Sequence, residues 1–160
     1  MKAFYFFLIL STFLISSCKT SQKEAVQYNN SIVEIESRAE VSINTFFEKF
    51  NADNPQNAEV VKKTIADIQK CKKDLEAVKE VDGGEEFKAK GMDMFSTYEK
   101  FFQQDVSQWL AALSDPKRTE ESLLAAQAQF QQAKEKALAS QAEFEKAQVK
   151  FATLYGFELK

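Results

Sequence analysis

The chain has 160 residues, a formal net charge of −3 and a pI near 5.2, so it offers one ordinary domain's length and no basic footprint for nucleic acid. It contains no histidine, which excludes Ser-His-Asp and Cys-His nucleophiles, His-ligated zinc, Glu-x-x-His di-iron sites and haem attachment through C-x-x-C-H. Its four glycines form no G-x-G-x-x-G or Walker loop, so only a carboxylate-based active site stays open and no cofactor is expected.

The first element is Lys2 followed by an apolar run over 3–15, with Phe4, Phe6, Phe7, Leu8, Ile9, Leu10, Phe13, Leu14 and Ile15. A helix needs roughly 20 apolar residues to cross about 30 Å of hydrocarbon, so the run is too short to span and matches a cleaved signal instead. The tetrad Ile15-Ser16-Ser17-Cys18 resembles the bacterial lipobox, which implies cleavage before Cys18 and diacylglycerol on its sulfur. Each buried methylene contributes about 0.8 kcal/mol, and two or more chains anchor a protein stably where one does not. Lys19 stands where aspartate would, by resemblance to enterobacterial sorting rules, retain a lipoprotein in the inner membrane; the outer membrane is therefore expected. The chain thus divides into a signal peptide (1–17), a lipidated cysteine with a polar tether (18–24) and a helical domain (25–160).

The spacing predicts a first helix over about 25–51, with Tyr28, Ile32, Ile35, Ala39, Ile43, Phe46 and Phe50 along one face. Asn54 as N-cap and Pro55 at the first helical position start a second helix, whose stripe is Ala58, Val61, Ile65, Ile68, Cys71, Leu75 and Val78. Asp82-Gly83-Gly84 is expected to end it. A third helix over 85–113 carries Phe87, Gly91, Phe95, Tyr98, Phe102, Val106, Trp109 and Leu113, widened by Met92, Met94, Phe101 and Leu110. Ser114-Asp115-Pro116 closes it. Thr119 then caps a last helix with Glu120 and Glu121 in its first turn, where the helix dipole favours acid. Its heptad is strict, with Leu123, Phe130, Ala137, Phe144 and Phe151 and companions Ala126, Ala133, Ser140, Ala147 and Leu154. Gly156 is the expected C-terminal cap, with Phe157 folding back.

Short loops between amphipathic helices predict an all-α fold, an antiparallel four-helix up-down-up-down bundle with long helices. A helical hairpin or oligomeric coiled coil is the alternative. The bundle would place the lipid, the 82–84 turn and the C-terminus at one end, with the 51–54 and 115–118 turns roughly 40 Å away.

Candidate sites are few. Four of the fifteen phenylalanines lie in the signal and the rest mostly occupy seams. Adjacent residues on a helix point in different directions, so Phe46-Phe47 and Phe101-Phe102 each offer one ring to leave the core. Phe47 and Phe101 are thus candidate partner-binding residues, together with Asn54, Lys117 and Arg118 in the distal turns; a wide core face is the competing account. Asp105 beside Val106 is a candidate acid or base, although solvent or a lysine is the commoner fate of such a carboxylate. Cys71 sits at helical spacing between Ile68 and Leu75 and reads as a buried thiol. The glutamine- and alanine-rich run over 125–132 and the mixed charges Lys134, Glu135, Lys136, Glu143, Glu145 and Lys146 read as helix former and solvated face.

The stretch Tyr28-Asn29-Asn30-Ser31-Ile32-Val33 and the closing Phe144-Glu145-Lys146-Ala147-Gln148, Phe151-Ala152 and Tyr155-Gly156-Phe157 resemble a family of bacterial surface lipoproteins seen in spirochaetes of the Leptospira type and in Bacteroidetes. The resemblance spans the chain after the signal and rests on helical patterns rather than a chemical signature. It implies surface exposure and binding of macromolecules, and supplies no catalytic residues. The expected function is a non-catalytic binding or structural module of the bacterial envelope, attached to the membrane through Cys18 and facing a protein or other macromolecule. The alternative is a periplasm-facing adaptor or holdase-type chaperone that uses Met92 and Met94 for apolar segments.

Overall fold

The computed structural model describes residues 20–50 and 56–159. Their architecture is an all-α bundle of four long helical rods: α1 (Gln22–Lys49), α2 (Asn57–Ala77), a third rod built from α3 (Glu85–Lys100), a π-helical segment (Phe101–Val106) and α4 (Ser107–Ser114), and α5 (Glu120–Tyr155). Cys18, Asn54 and Pro55 lie outside the described residues.

α1 begins earlier than the spacing of apolar residues predicts. Ser21 and Glu24 form a capping box: the Glu24 amide donates to Ser21 Oγ at 3.2 Å, and the Ser21 amide donates to the Glu24 carboxylate at 2.8 Å. Residues 22–24 are therefore helix rather than tether. α2 starts at Asn57, and Gln56 before it supplies no side-chain cap. It also stops sooner than the glycine pair suggests. Lys88 reaches across from α3 and donates to the carbonyls of Glu76 at 3.0 Å and Val78 at 2.7 Å. A lysine thus satisfies carbonyls that the helix end leaves free. Gly83, at φ 71°, turns the chain into α3.

The third rod departs from the sequence expectation. Its register widens over Phe101–Val106, and the Ser107 hydroxyl donates to the Phe102 carbonyl five residues back at 3.0 Å. This one-segment change to i→i+5 bonding places both Phe101 and Phe102 in the core. α5 is capped by a reciprocal Thr119–Ser122 pair and ends at Gly156, at φ 66°, with the Phe157 amide donating to the Ala152 carbonyl at 3.1 Å. Its core face drifts. Phe130, Ala137, Phe144, Ala147 and Phe151 are buried as the heptad predicts, yet Leu154 is 63% exposed and Ala152 is buried in its stead. A straight α-helix has about 3.6 residues per turn, so its core face slips away from a seven-residue repeat by about 20° per heptad.

The helices pair in sequence order. Arg38 meets Asp74 at 2.8 Å and Ser42 meets Asp67 at 2.7 Å between α1 and α2. Lys72 meets Glu99 at 3.1 Å between α2 and α3. Phe87 stacks on Phe144 at 5.1 Å, and Tyr98 bonds Gln141 at 3.3 Å, between α3 and α5. Gln148 donates to Asn29 at 3.0 Å, joining α5 back to α1 and bringing together the two stretches on which the family resemblance rests.

The core has two aromatic ends. Tyr28, Phe87, Phe144, Phe151, Tyr155 and Phe157 fill one; Phe46, Phe47, Phe50, Phe101, Phe102, Trp109 and Phe130 cluster at the other. Between them lie Ile68, Cys71, Leu75, Met94 and Phe95, all buried. A fully buried side chain of this size contributes about 1.5–3 kcal/mol. Gly91 lets three helices close up, since a Cβ there would stand 2.8 Å from Leu75 Cδ2 and 3.3 Å from Phe144 Cε2. Ala58, placed on the α2 stripe by its spacing, is exposed, while Thr64 is buried and donates to the Val60 carbonyl at 3.0 Å.

Candidate functional site

The start of α1, the 82–84 turn and the end of α5 are knotted together by polar bonds. Gln22 Nε2 donates to the Gly156 carbonyl at 2.7 Å, and the Asp82 amide donates to Thr20 Oγ1 at 3.0 Å. Tyr28 donates to the Gly84 carbonyl at 3.0 Å, and Tyr155 donates to that of Asp82. The chain is thus held in the fold from Thr20 onward, two positions after Cys18.

Toward the opposite end, α1 and α5 part to leave a groove of about 260 Å³. Ile43 and Phe47 of α1, Tyr98, Phe101 and Phe102 of the third rod, and Ala137 and Leu138 of α5 supply its apolar lining; Glu40, Asn44, Lys134 and Gln141 complete it. Phe47 is 40% exposed and Leu138 is 55% exposed, so apolar surface continues from the floor out to both lips. The π-helical segment builds the floor: it turns Phe101 inward onto Phe102 and Phe130, with ring centroids at 5.3 and 5.4 Å. Phe101 is therefore a core ring, as a wide core face on this helix predicts, and not an outward partner-binding ring. Its edge reaches the groove from inside the core.

Glu40 lines one end of the groove, and Glu36 and Glu145 stand beyond it, within electrostatic reach of Tyr98. Glu36 and Glu40 lie one turn apart on α1, and Glu145 stands on α5 one turn beyond Gln141. Among the described residues no lysine or arginine is within ion-pair distance of any of the three. Burial, and then repulsion from Glu40 and Glu145, raises the Glu36 carboxyl from its ordinary 4.5 to about 7. Burial also raises the Tyr98 phenol, with the same three carboxylates adding to the effect.

The other sequence candidates fall elsewhere. Lys117 and Arg118 sit in the exposed turn after α4 and do not line the groove; the Lys117 amide takes the Asp115 carboxylate at 2.8 Å, and Arg118 donates to the Leu113 carbonyl. Asp105 is half-buried in a separate polar hollow with Lys100, Lys136 and several glutamines, and no second carboxylate lines it. Cys71 is buried, and that burial raises its thiol. Among the described residues no group of three or more Cys, Asp or Glu is arranged to hold a metal ion, and no helix is long and apolar enough to cross a membrane. Sequence reasoning missed Tyr98, Leu138, Glu36 and Glu145 as neighbours of one site. The i,i+4 acids Glu36 and Glu40 are visible in the sequence, whereas their proximity to Glu145 needs α5 placed beside α1.

Comparison with models of known families, with curated proteins and with solved structures finds no match.

Proposed function

We propose that the chain is a lipid-anchored envelope protein, tethered through Cys18, whose helical bundle acts as a non-catalytic binding module. The observation that carries this reading is the spacing of its two ends. The fold takes hold of the chain at Thr20, immediately after the lipobox-like cysteine, and the apolar groove opens in the far half of a bundle whose first helix has 28 residues. At about 1.5 Å per residue, an up-down ordering of helices would hold the far turns roughly 40 Å from the membrane. Outer-membrane display is the location this reading adopts. A site built from aromatic rings, without a nucleophile paired to a base, suits recognition better than bond breaking.

Metabolic labelling with radioactive palmitate tests the anchor: the wild-type chain takes up label and Cys18→Ser does not. Equal labelling of both, or of neither, refutes it. Protease treatment of intact cells tests the orientation, because an inward-facing protein survives it. The adaptor or holdase reading draws less support, since Met94 is fully buried and Met92 partly so, leaving little mobile methionine surface for apolar clients.

A further inference from the structure

The α1/α5 groove has a shape and a charge pattern that together narrow its occupant. Its volume, about 260 Å³, is below the roughly 300–1,000 Å³ that encloses a drug-sized molecule. That space suits one or two side chains delivered by a larger partner, the usual form of an interface anchor. Phe47 and Leu138 carry the apolar surface past the lips, where a partner's backbone would lie. Glu40 lines one end, Glu36 and Glu145 stand beyond it near Tyr98, and among the described residues none of the three forms an ion pair with a lysine or arginine. Lys134 is the single positive side chain lining the groove. The net field there is negative, and it attracts a cation where an acidic partner would be repelled.

We propose that this groove docks a basic polypeptide segment, which seats apolar side chains on Phe47, Phe101 and Leu138 and turns a lysine or arginine toward Glu36, Glu40 and Glu145. The inference rests on the binding-module reading and gives it a partner chemistry. The π-helical segment fits this role: it interrupts a regular helix where the groove floor needs both Phe101 and Phe102 turned inward, and such interruptions are frequent at functional sites.

The test uses the full chain and fluorescence anisotropy with two labelled peptides of equal length, one of Lys, Leu and Trp and its counterpart of Glu, Leu and Trp. The basic peptide is expected to bind about tenfold or more tightly than the acidic one, and to weaken as salt rises. Leu138→Lys, at an exposed position that the fold does not need, should abolish binding, while Leu124→Lys elsewhere on α5 should leave it unchanged. Glu40→Gln with Glu145→Gln should narrow the preference between peptides to below about threefold. Equal affinity for both peptides, preference for the acidic one, absence of binding, or indifference to Leu138→Lys each overturns the proposal. Light scattering closes the remaining case: a dimer that Leu138→Lys dissolves would make a second copy the occupant and would overturn it as well. Palmitate labelling at Cys18 reports on the anchored-module reading separately, so a failure here is not mistaken for a failure there.

Discussion

Replacing Glu36 by glutamine should stabilise the protein, by an amount that grows as pH rises from about 4.5 to 7 and is constant above that. The carboxyl is partly buried beside Glu40 and Glu145, and its folded-state value is about 7 against an ordinary 4.5. Between those two values the folded protein holds a proton that the unfolded chain releases. The contribution to stability is therefore complete below about pH 4.5, is lost progressively as pH rises from there to about 7, and changes no further above that. The gap corresponds to about 3 kcal/mol at most against the ionised form. Solvent reaches the side chain, so screening reduces the effect to about 1–2 kcal/mol. Glutamine keeps the shape and removes the charge. Thermal unfolding followed by circular dichroism should show Glu36→Gln close to wild type at pH 4.5 and higher in Tm at pH 8, by about 3–8 °C for a domain of this size. The difference between the two proteins reports the burial of the Glu36 charge together with its repulsion from Glu40 and Glu145. A Tm difference that does not change with pH, or a variant less stable at pH 8, would refute the reasoning.

Gly91→Ala should destabilise the bundle although alanine is the better helix former, because the new Cβ meets Leu75 and Phe144 at 2.8 and 3.3 Å; urea unfolding should register a loss of about 1–3 kcal/mol. Gly156→Ala, at a left-handed φ of 66°, should cost about 1 kcal/mol by the same measurement, with a frayed end of α5 by hydrogen exchange. Cys71 should resist a water-soluble thiol reagent in the folded protein and react only at the rate of unfolding; fast labelling in native buffer would contradict its burial. Deleting exposed Gln103 from the π-helical segment should convert it to regular α-helix while keeping α3 and α4 in register. The helical signal should be retained with a small loss of Tm, and collapse of the fold would show that the widened turn is required for folding.

Local chemistry was legible in the chain itself. The caps at Thr119 and Gly156, the stripes on α1 and α3, the burial of Cys71 and the all-α class all follow from neighbours a few residues apart, because helix periodicity and end-capping are short-range effects. The capping box at Ser21 and Glu24 was equally local and passed unread because a polar run after the signal resembles a tether. The end of α2 was another matter. The Val78 amide donates back to the Leu75 carbonyl at 3.1 Å, and Lys88 satisfies the carbonyls of Glu76 and Val78 from a different element.

Tertiary packing decided the remainder. A heptad repeat promised Leu154 to the core, but Leu154 is exposed and Ala152 is buried, in the sense in which a 3.6-residue turn drifts from a seven-residue repeat. Phe101 and Phe102 are both buried where the helix widens. Their partners there are rings on α1 and α5, Phe46 against Phe102 and Phe130 against Phe101, which the local sequence does not reveal. The groove exists for the same reason: its walls are two helices far apart in the chain, and at one end packing brings Glu36 and Glu40 near Glu145 across more than a hundred residues. Sequence order sets what each helix offers along its faces, whereas the charge and shape of a site depend on which faces packing leaves apart.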